Sequence, residues 1–217
     1  MRKRAVVAGA LGLVFGLAPL REASAQTARD EGWQTATTIT MVASAGTQLL
    51  MPRVFYSDPE VTVGWKARWH LSVLAPVMTL TALAVLNEHA LKDSFEGFRP
   101  GCNEMNQGGP GCETFGMMST HAFGAFAGLG HGTAVFLVDT LKWSDGRFNV
   151  GGFVGNVAVP LVLSTVTAVG RSAGDWEDSG QIIAGGGAGL LSGFAMGFLY
   201  ASLQRPECGY TGSLICW

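Results

Sequence analysis

Apolar residues gather into long runs separated by short polar connections. After a first stretch from Ala5 to Leu20, five runs follow: Ala36 to Met51, Leu71 to Leu91, His121 to Leu141, Val150 to Val169 and Ile182 to Leu203. Each is close to the ~20 residues that a helix needs to cross a bilayer. Leu71 to Leu91 is the clearest, with one internal proline, Pro76, which a membrane helix tolerates when neighbours satisfy the freed carbonyl. Ala36 to Met51 is the least hydrophobic and ends at Pro52-Arg53. The pattern predicts an all-α integral membrane bundle of about five spans, forming a single domain over residues 26–217.

The first stretch has a different character. Met1-Arg-Lys-Arg4, the apolar run and Ala23-Ser24-Ala25 are the three parts of a secretory signal peptide over residues 1–25, with cleavage expected before Gln26. The competing reading is an uncleaved first span. Residues Gln26 to Gln34 are then expected to be a short, exposed polar segment.

Composition agrees with lipid as the solvent. Charged residues make up only 14% of the 217 residues and apolar residues 48%, against about 25% charged in soluble domains. A formal charge of −2 leaves no basic footprint for nucleic acid. The chain contains 31 glycines, and Gly185, Gly189, Gly193 and Gly197 recur four apart, as do Gly124, Gly128 and Gly132. That spacing makes a ridge where a second helix backbone approaches closely.

The connections alternate in character. Arg53, Lys66, Arg68, Lys142, Arg147 and Arg205 fall on one side of the predicted topology. The acidic loops around Glu104 and Glu113, and around Asp175, Glu177 and Asp178, fall on the other. Basic residues mark the cytoplasmic side, so the acidic loops are expected to face the periplasm of a bacterial inner membrane. Cys102 and Cys112 flank Gly108-Gly-Pro-Gly111 at a spacing that closes into a disulfide hairpin on an oxidising face. Cys208 and Cys216 land on the cytoplasmic side and are read as free thiols. No cysteine or histidine spacing fits zinc, and no metal or cofactor is expected.

Three polar pieces sit at span ends on the acidic face: Lys92 to Arg99-Pro100, Met118-Ser-Thr-His121, and Gly170-Arg171 to Gln181. In order, spacing and sidedness they resemble the type 2 phosphatidic acid phosphatase (PAP2) superfamily, whose motifs are Lys-x6-Arg-Pro, Pro-Ser-Gly-His and Ser-Arg-x5-His-x3-Asp. The resemblance covers about Leu71 to Leu203. The first motif is intact, and the second has lost its proline and glycine. The third keeps Arg171 but has Glu177 in place of the nucleophilic histidine and Gln181 in place of the aspartate.

The resemblance implies that Lys92, Arg99, Ser119 and Arg171 bind phosphate oxygens and that His121 protonates a leaving group. Glu177 then has three readings: a nucleophile forming an acyl phosphate, an internal counterion of Arg171 or Lys92, or a solvated side chain. His89, one turn before Lys92, is a candidate substitute nucleophile. His131, about 15 Å along its helix from His121, lies too deep, and His70 reads as an interfacial anchor. Two functional classes remain open. One is a lipid phosphate or diphosphate hydrolase, weakened or inactivated by the third motif, acting on a phosphorylated lipid or isoprenoid. The other is a non-catalytic binder of phosphorylated headgroups or a structural membrane protein.

Overall fold

The computed structural model describes residues 30–50, 63–95, 97–109, 112, 115–143, 146 and 148–203, and these are helical with no strand. Helix α1 spans Glu31–Leu50 and α2 spans Val63–Leu86. A π-helical turn, Asn87–Leu91, links α2 to the short α3, Lys92–Phe95. Helix α4, Thr120–Val138, runs into a second π turn, Asp139–Trp143. The short α5, Val150–Phe153, passes through a third π turn, Val154–Ala158, into α6, Val159–Ala173. Helix α7 spans Ser179–Leu203. The proposed signal peptide, His70's side chain, Cys208 and Cys216 lie outside the described residues.

Three boundaries differ from the sequence reading: α2 begins at Val63 rather than Leu71, and two others differ for a local reason. Helix α1 starts inside the segment expected to be an exposed connection. Asp30 Oδ1 accepts hydrogen bonds from the backbone N–H of Gly32 at 2.8 Å and of Trp33 at 3.3 Å. That cap, with Glu31 in the first turn, favours an earlier start. Residues Gly170 and Arg171, expected in a loop, continue α6 to Ala173. The π turn before α6 also has a cause. Pro160 carries no N–H to give the carbonyl one turn back, so the backbone there widens locally.

Three of the helical segments, Thr120–Lys142, Val150–Ala173 and Ser179–Leu203, are long and apolar enough to cross a membrane. Their outward residues are apolar: Val162 and Val166 on α6, and Leu191 and Phe198 on α7, are exposed, as are Ile39 and Val42 on α1. The interior is mixed. Thr37, Ser44, Gln48, Asn87, Asn156, Ser164 and Thr167 are buried alongside Phe123, Phe126 and Val135. An apolar exterior around an interior that holds so many polar side chains points to a membrane protein.

Helix α4 is the centre of the bundle, and its glycines explain why. Along α7, a Cβ on Gly185, Gly189, Gly193 or Gly197 would come within 2.3, 2.2, 2.1 or 2.4 Å of the carbonyl oxygens of Ser119, Phe123, Ala127 and His131 respectively. The α7 ridge is therefore in backbone contact with one face of α4. The second glycine series faces elsewhere: Gly124 and Gly128 meet Met41 and Ser44 of α1, and Gly132 meets Asn156. The two ridges expected from the sequence thus pack α4 against different neighbours.

Between α1, α4 and α6 runs a polar seam. Thr40 Oγ1 lies 2.7 Å from Thr167 Oγ1, and the hydroxyls of Ser44 and Ser164 both donate to Ala125 O, at 2.7 and 2.8 Å. Deeper, His131 Nδ1 lies 3.1 Å from Gln48 Oε1. These contacts hold the weakly apolar α1 in the bundle, where lipid would supply no hydrophobic drive.

Cys102 and Cys112 are disulfide-bonded across 10 residues, as the spacing predicts. Replacing both with serine is expected to lower stability by about 3 kcal/mol through the loop-closure entropy returned to the unfolded chain. Unfolding of the purified protein in detergent, with and without reductant, measures it.

Candidate functional site

The polar cluster at the α4 N-terminus is built from the second motif outward. Ser119 caps α4, its hydroxyl accepting from Ala122 N–H at 3.0 Å, and it is fully buried. Met118, standing where the resembled motif has proline, adopts φ +52°, a value closed to proline. Its carbonyl accepts from Asn87 Nδ2 at 2.8 Å, which holds the turn.

His121 falls in the first turn of α4, and its Nε2 lies 3.0 Å from Thr38 Oγ1 on α1. The single hydroxyl hydrogen of Thr38 is directed at Gln34 O, at 2.9 Å. The imidazole Nε2–H is therefore the donor, and Nδ1 keeps its lone pair. His121 lies within electrostatic reach of Arg171, Glu177, Lys92 and Glu88.

Lys92 is buried rather than a solvated helix end. Its Nζ donates to Glu88 Oε2 at 2.6 Å, and the same oxygen accepts from Thr120 Oγ1 at 2.6 Å. The ion pair thus ties the helical turn that ends α2 to the start of α4. Arg99 is half-buried at the edge, within electrostatic reach of Glu88. His89 is exposed while Lys92 is buried, so the two do not share a face, and the substitute-nucleophile reading has no geometric support.

The third motif is the most tightly bound part. Arg171 Nη2 donates to Glu177 Oε1 at 3.0 Å, with the two side chains 2% and 0% exposed. Arg171 Nη1 donates to Gln34 Oε1, and the guanidinium lies 5.3 Å from the centre of the Trp176 ring. Glu177 is therefore neither solvated nor paired with Lys92. Of the three readings, the counterion of Arg171 is the one observed. Burial pushes the Glu177 carboxyl up, but the Arg171 charge and hydrogen bond, the Ser119 hydroxyl and the Lys92 charge outweigh it. The carboxyl is held below its ordinary value and is ionised at neutral pH. Two atoms of this pair, Arg171 Nε and Glu177 Oε2, are buried without a hydrogen-bond partner.

Gln181, standing where the resembled motif has aspartate, is taken up by helix-capping and inter-motif contacts. Its backbone N–H donates to Asp178 Oδ1 at 2.9 Å, and its side-chain Oε1 accepts from Asp178 N–H at 3.1 Å. This is a capping box that starts α7. Its Nε2 donates to Phe98 O at 2.7 Å, and its backbone carbonyl accepts from Ser119 N–H at 3.0 Å. Gln181 thus fastens the first and second motifs to the third.

The structure brings Lys92, Ser119, Arg171 and Glu177 into one buried cluster, with the half-buried His121 and Arg99 at its edge. The sequence reading missed Glu88, Gln34 and Thr38. Glu88 carried a signal, since a carboxylate four residues before a lysine on a helix pairs with it. Gln34 and Thr38 carried none, being 137 and 83 residues distant from the side chains they bind. Three cations face two carboxylates here, an arrangement suited to binding one anion in competition with the resident carboxylates. Searches of protein-family models, curated proteins and solved structures find no match to the chain.

Proposed function

We propose that this chain is a bacterial inner-membrane protein related to the type 2 phosphatidic acid phosphatases, retaining their phosphate-binding side chains but not their hydrolytic turnover. In this reading five spans set the cluster at the periplasmic face, where the headgroup of a phosphorylated lipid or isoprenoid enters laterally. Side-chain cations supply the charge stabilisation, without a metal.

The observation that carries this reading is the buried Arg171–Glu177 pair. Phosphoryl transfer needs cations around the equatorial oxygens and a nucleophile in line with the leaving group. Where the related enzymes have a histidine, this chain has an ionised carboxylate that repels the phosphate and is engaged by the arginine meant to bind it. His121 has its Nε2–H committed to Thr38 and an unprotonated Nδ1, so it would have to gain a proton before serving a leaving group, and that alone does not break the ester. Turnover is expected to be on the order of 10⁴-fold or more below that of an enzyme with its nucleophile.

Phosphate release from phosphatidic acid and from an isoprenoid diphosphate, by purified protein in mixed micelles, tests the proposal. Wild type is expected to match the protein-free background, and the double variant Glu177→His, Gln181→Asp to rise above it. Robust wild-type turnover that disappears in both Arg171→Ala and His121→Ala would establish a working phosphatase and overturn the proposal.

A further inference from the structure

The buried ion pair leaves two polar atoms without partners, and they belong to the same pair. Arg171 Nε is a donor lacking an acceptor, and Glu177 Oε2 is an acceptor that no well-formed hydrogen bond reaches, although the Ser119 hydroxyl is close enough to the carboxyl to favour its charged form. Each such atom is costly inside a protein. An incoming anion would satisfy Arg171 Nε but would meet the negative charge of Glu177 at close range. A proton on Oε2 removes that conflict. It cancels the charge, and the resulting O–H becomes a donor toward the same anion, while Oε1 stays on Arg171.

We infer that this site binds a tetrahedral oxyanion together with one proton, taken up by Glu177 at Oε2, so that anion affinity is linked to pH. The inference rests on the anion-site reading above. The charged and titratable groups facing Glu177 are Arg171 on α6, Lys92 on α3 and His121 on α4, with the Ser119 hydroxyl at the α4 cap. Without a ligand, the two cations keep the carboxyl ionised. A bound anion reverses the field at Glu177, and the proton follows. No bond other than O–H forms, and the proton comes from solvent.

The ligand class follows from the donors. Arg171 Nε–H and a protonated Glu177 would be the donors, with the Lys92 charge within electrostatic reach of the same carboxyl, which suits a phosphomonoester or sulfate-like group. With one proton bound per anion, affinity rises about tenfold for each pH unit of acidification between the carboxyl's titration point in the anion-bound state and its lower one in the free state.

Calorimetric titration of the full-length protein in detergent with inorganic sulfate tests this, in two buffers of different ionisation enthalpy. Sulfate keeps its charge across this range, so any proton taken up belongs to the protein. The expected result is uptake of about one proton per sulfate. In Glu177→Gln, which mimics the neutral carboxyl, binding should be tighter, pH-independent and free of uptake. Wild-type binding without proton uptake overturns the coupling while leaving the anion site standing. Uptake that persists in Glu177→Gln assigns the proton to another group of the cluster, His121 or Glu88, and also overturns it. Failure of wild type to bind sulfate, inorganic phosphate or a short-chain phosphatidic acid anywhere in this range removes the anion site itself, and the coupling with it.

Discussion

Replacing Arg171 with alanine is expected to destabilise the protein by about 3–5 kcal/mol, because it strands the Glu177 carboxylate in a buried position without its countercharge. The loss exceeds what a surface ion pair could produce, since both side chains are almost fully enclosed. Glu177 also loses the largest of the interactions that together outweigh its desolvation, so its carboxyl is expected to move up and take a proton. The double variant Arg171→Met, Glu177→Leu removes both charges and should recover most of the stability. Denaturant unfolding in detergent, followed by tryptophan fluorescence, distinguishes the two outcomes. If the single and double variants are equally unstable, the energetic account of the pair is wrong.

The same pair sets an acid limit. The folded-state value for Glu177 is depressed, so its contribution is fully present above the unfolded value of about 4.3 and is lost as pH falls through the folded value. Arg171→Met, Glu177→Leu should lack that portion of the acid transition.

The second large effect concerns the α4–α7 interface. A Cβ at Gly193 would sit 2.1 Å from Ala127 O, against backbone that cannot rotate away. Gly193→Ala is expected to cost about 1–3 kcal/mol as the helices are forced apart. Gly193→Leu is expected to prevent the native packing altogether. Gly187 lies on the same helix, and a Cβ added there would meet nothing within 4 Å. Gly187→Ala should therefore be neutral or gain up to about 1 kcal/mol from helix propensity. Equal gains at the two positions, read from thermal unfolding in detergent, would show that helix propensity rather than close approach governs this face.

Much of this architecture was legible in the residue pattern because its signals are local. Run length marked where helices form, and glycine spacing marked the faces of close approach, although it did not say which neighbour each ridge meets. Gly132 against Asn156 is a pairing that only the assembled bundle reveals. The candidate cluster was legible as a set of motifs but not as a set of partners. The Glu88–Lys92 pair was within reach of an i,i+4 reading. So was the Asp178 to Gln181 capping box, whose donor and acceptor are three residues apart. By contrast, the Gln34 and Thr38 contacts come from a helix whose composition suggests only a marginal span. Their roles arise from α1 docking against α4 and α6, a long-range event with no local trace.

The polar seam beneath the cluster has a further consequence, in terms of conduction. A hydrogen-bonded wire carries protons only where each group can receive one and pass another on to a group that can do the same. Here Thr38 donates to Gln34 O, Thr47 to Ser44 O, Ser44 to Ala125 O and Thr167 to Leu163 O. Amide carbonyls accept those hydrogens and relay nothing. Hydroxyl meets hydroxyl only locally, at Thr40–Thr167 and Ser44–Ser164, so among the described residues the seam joins three helices without forming a continuous hydroxyl wire from His121 to His131.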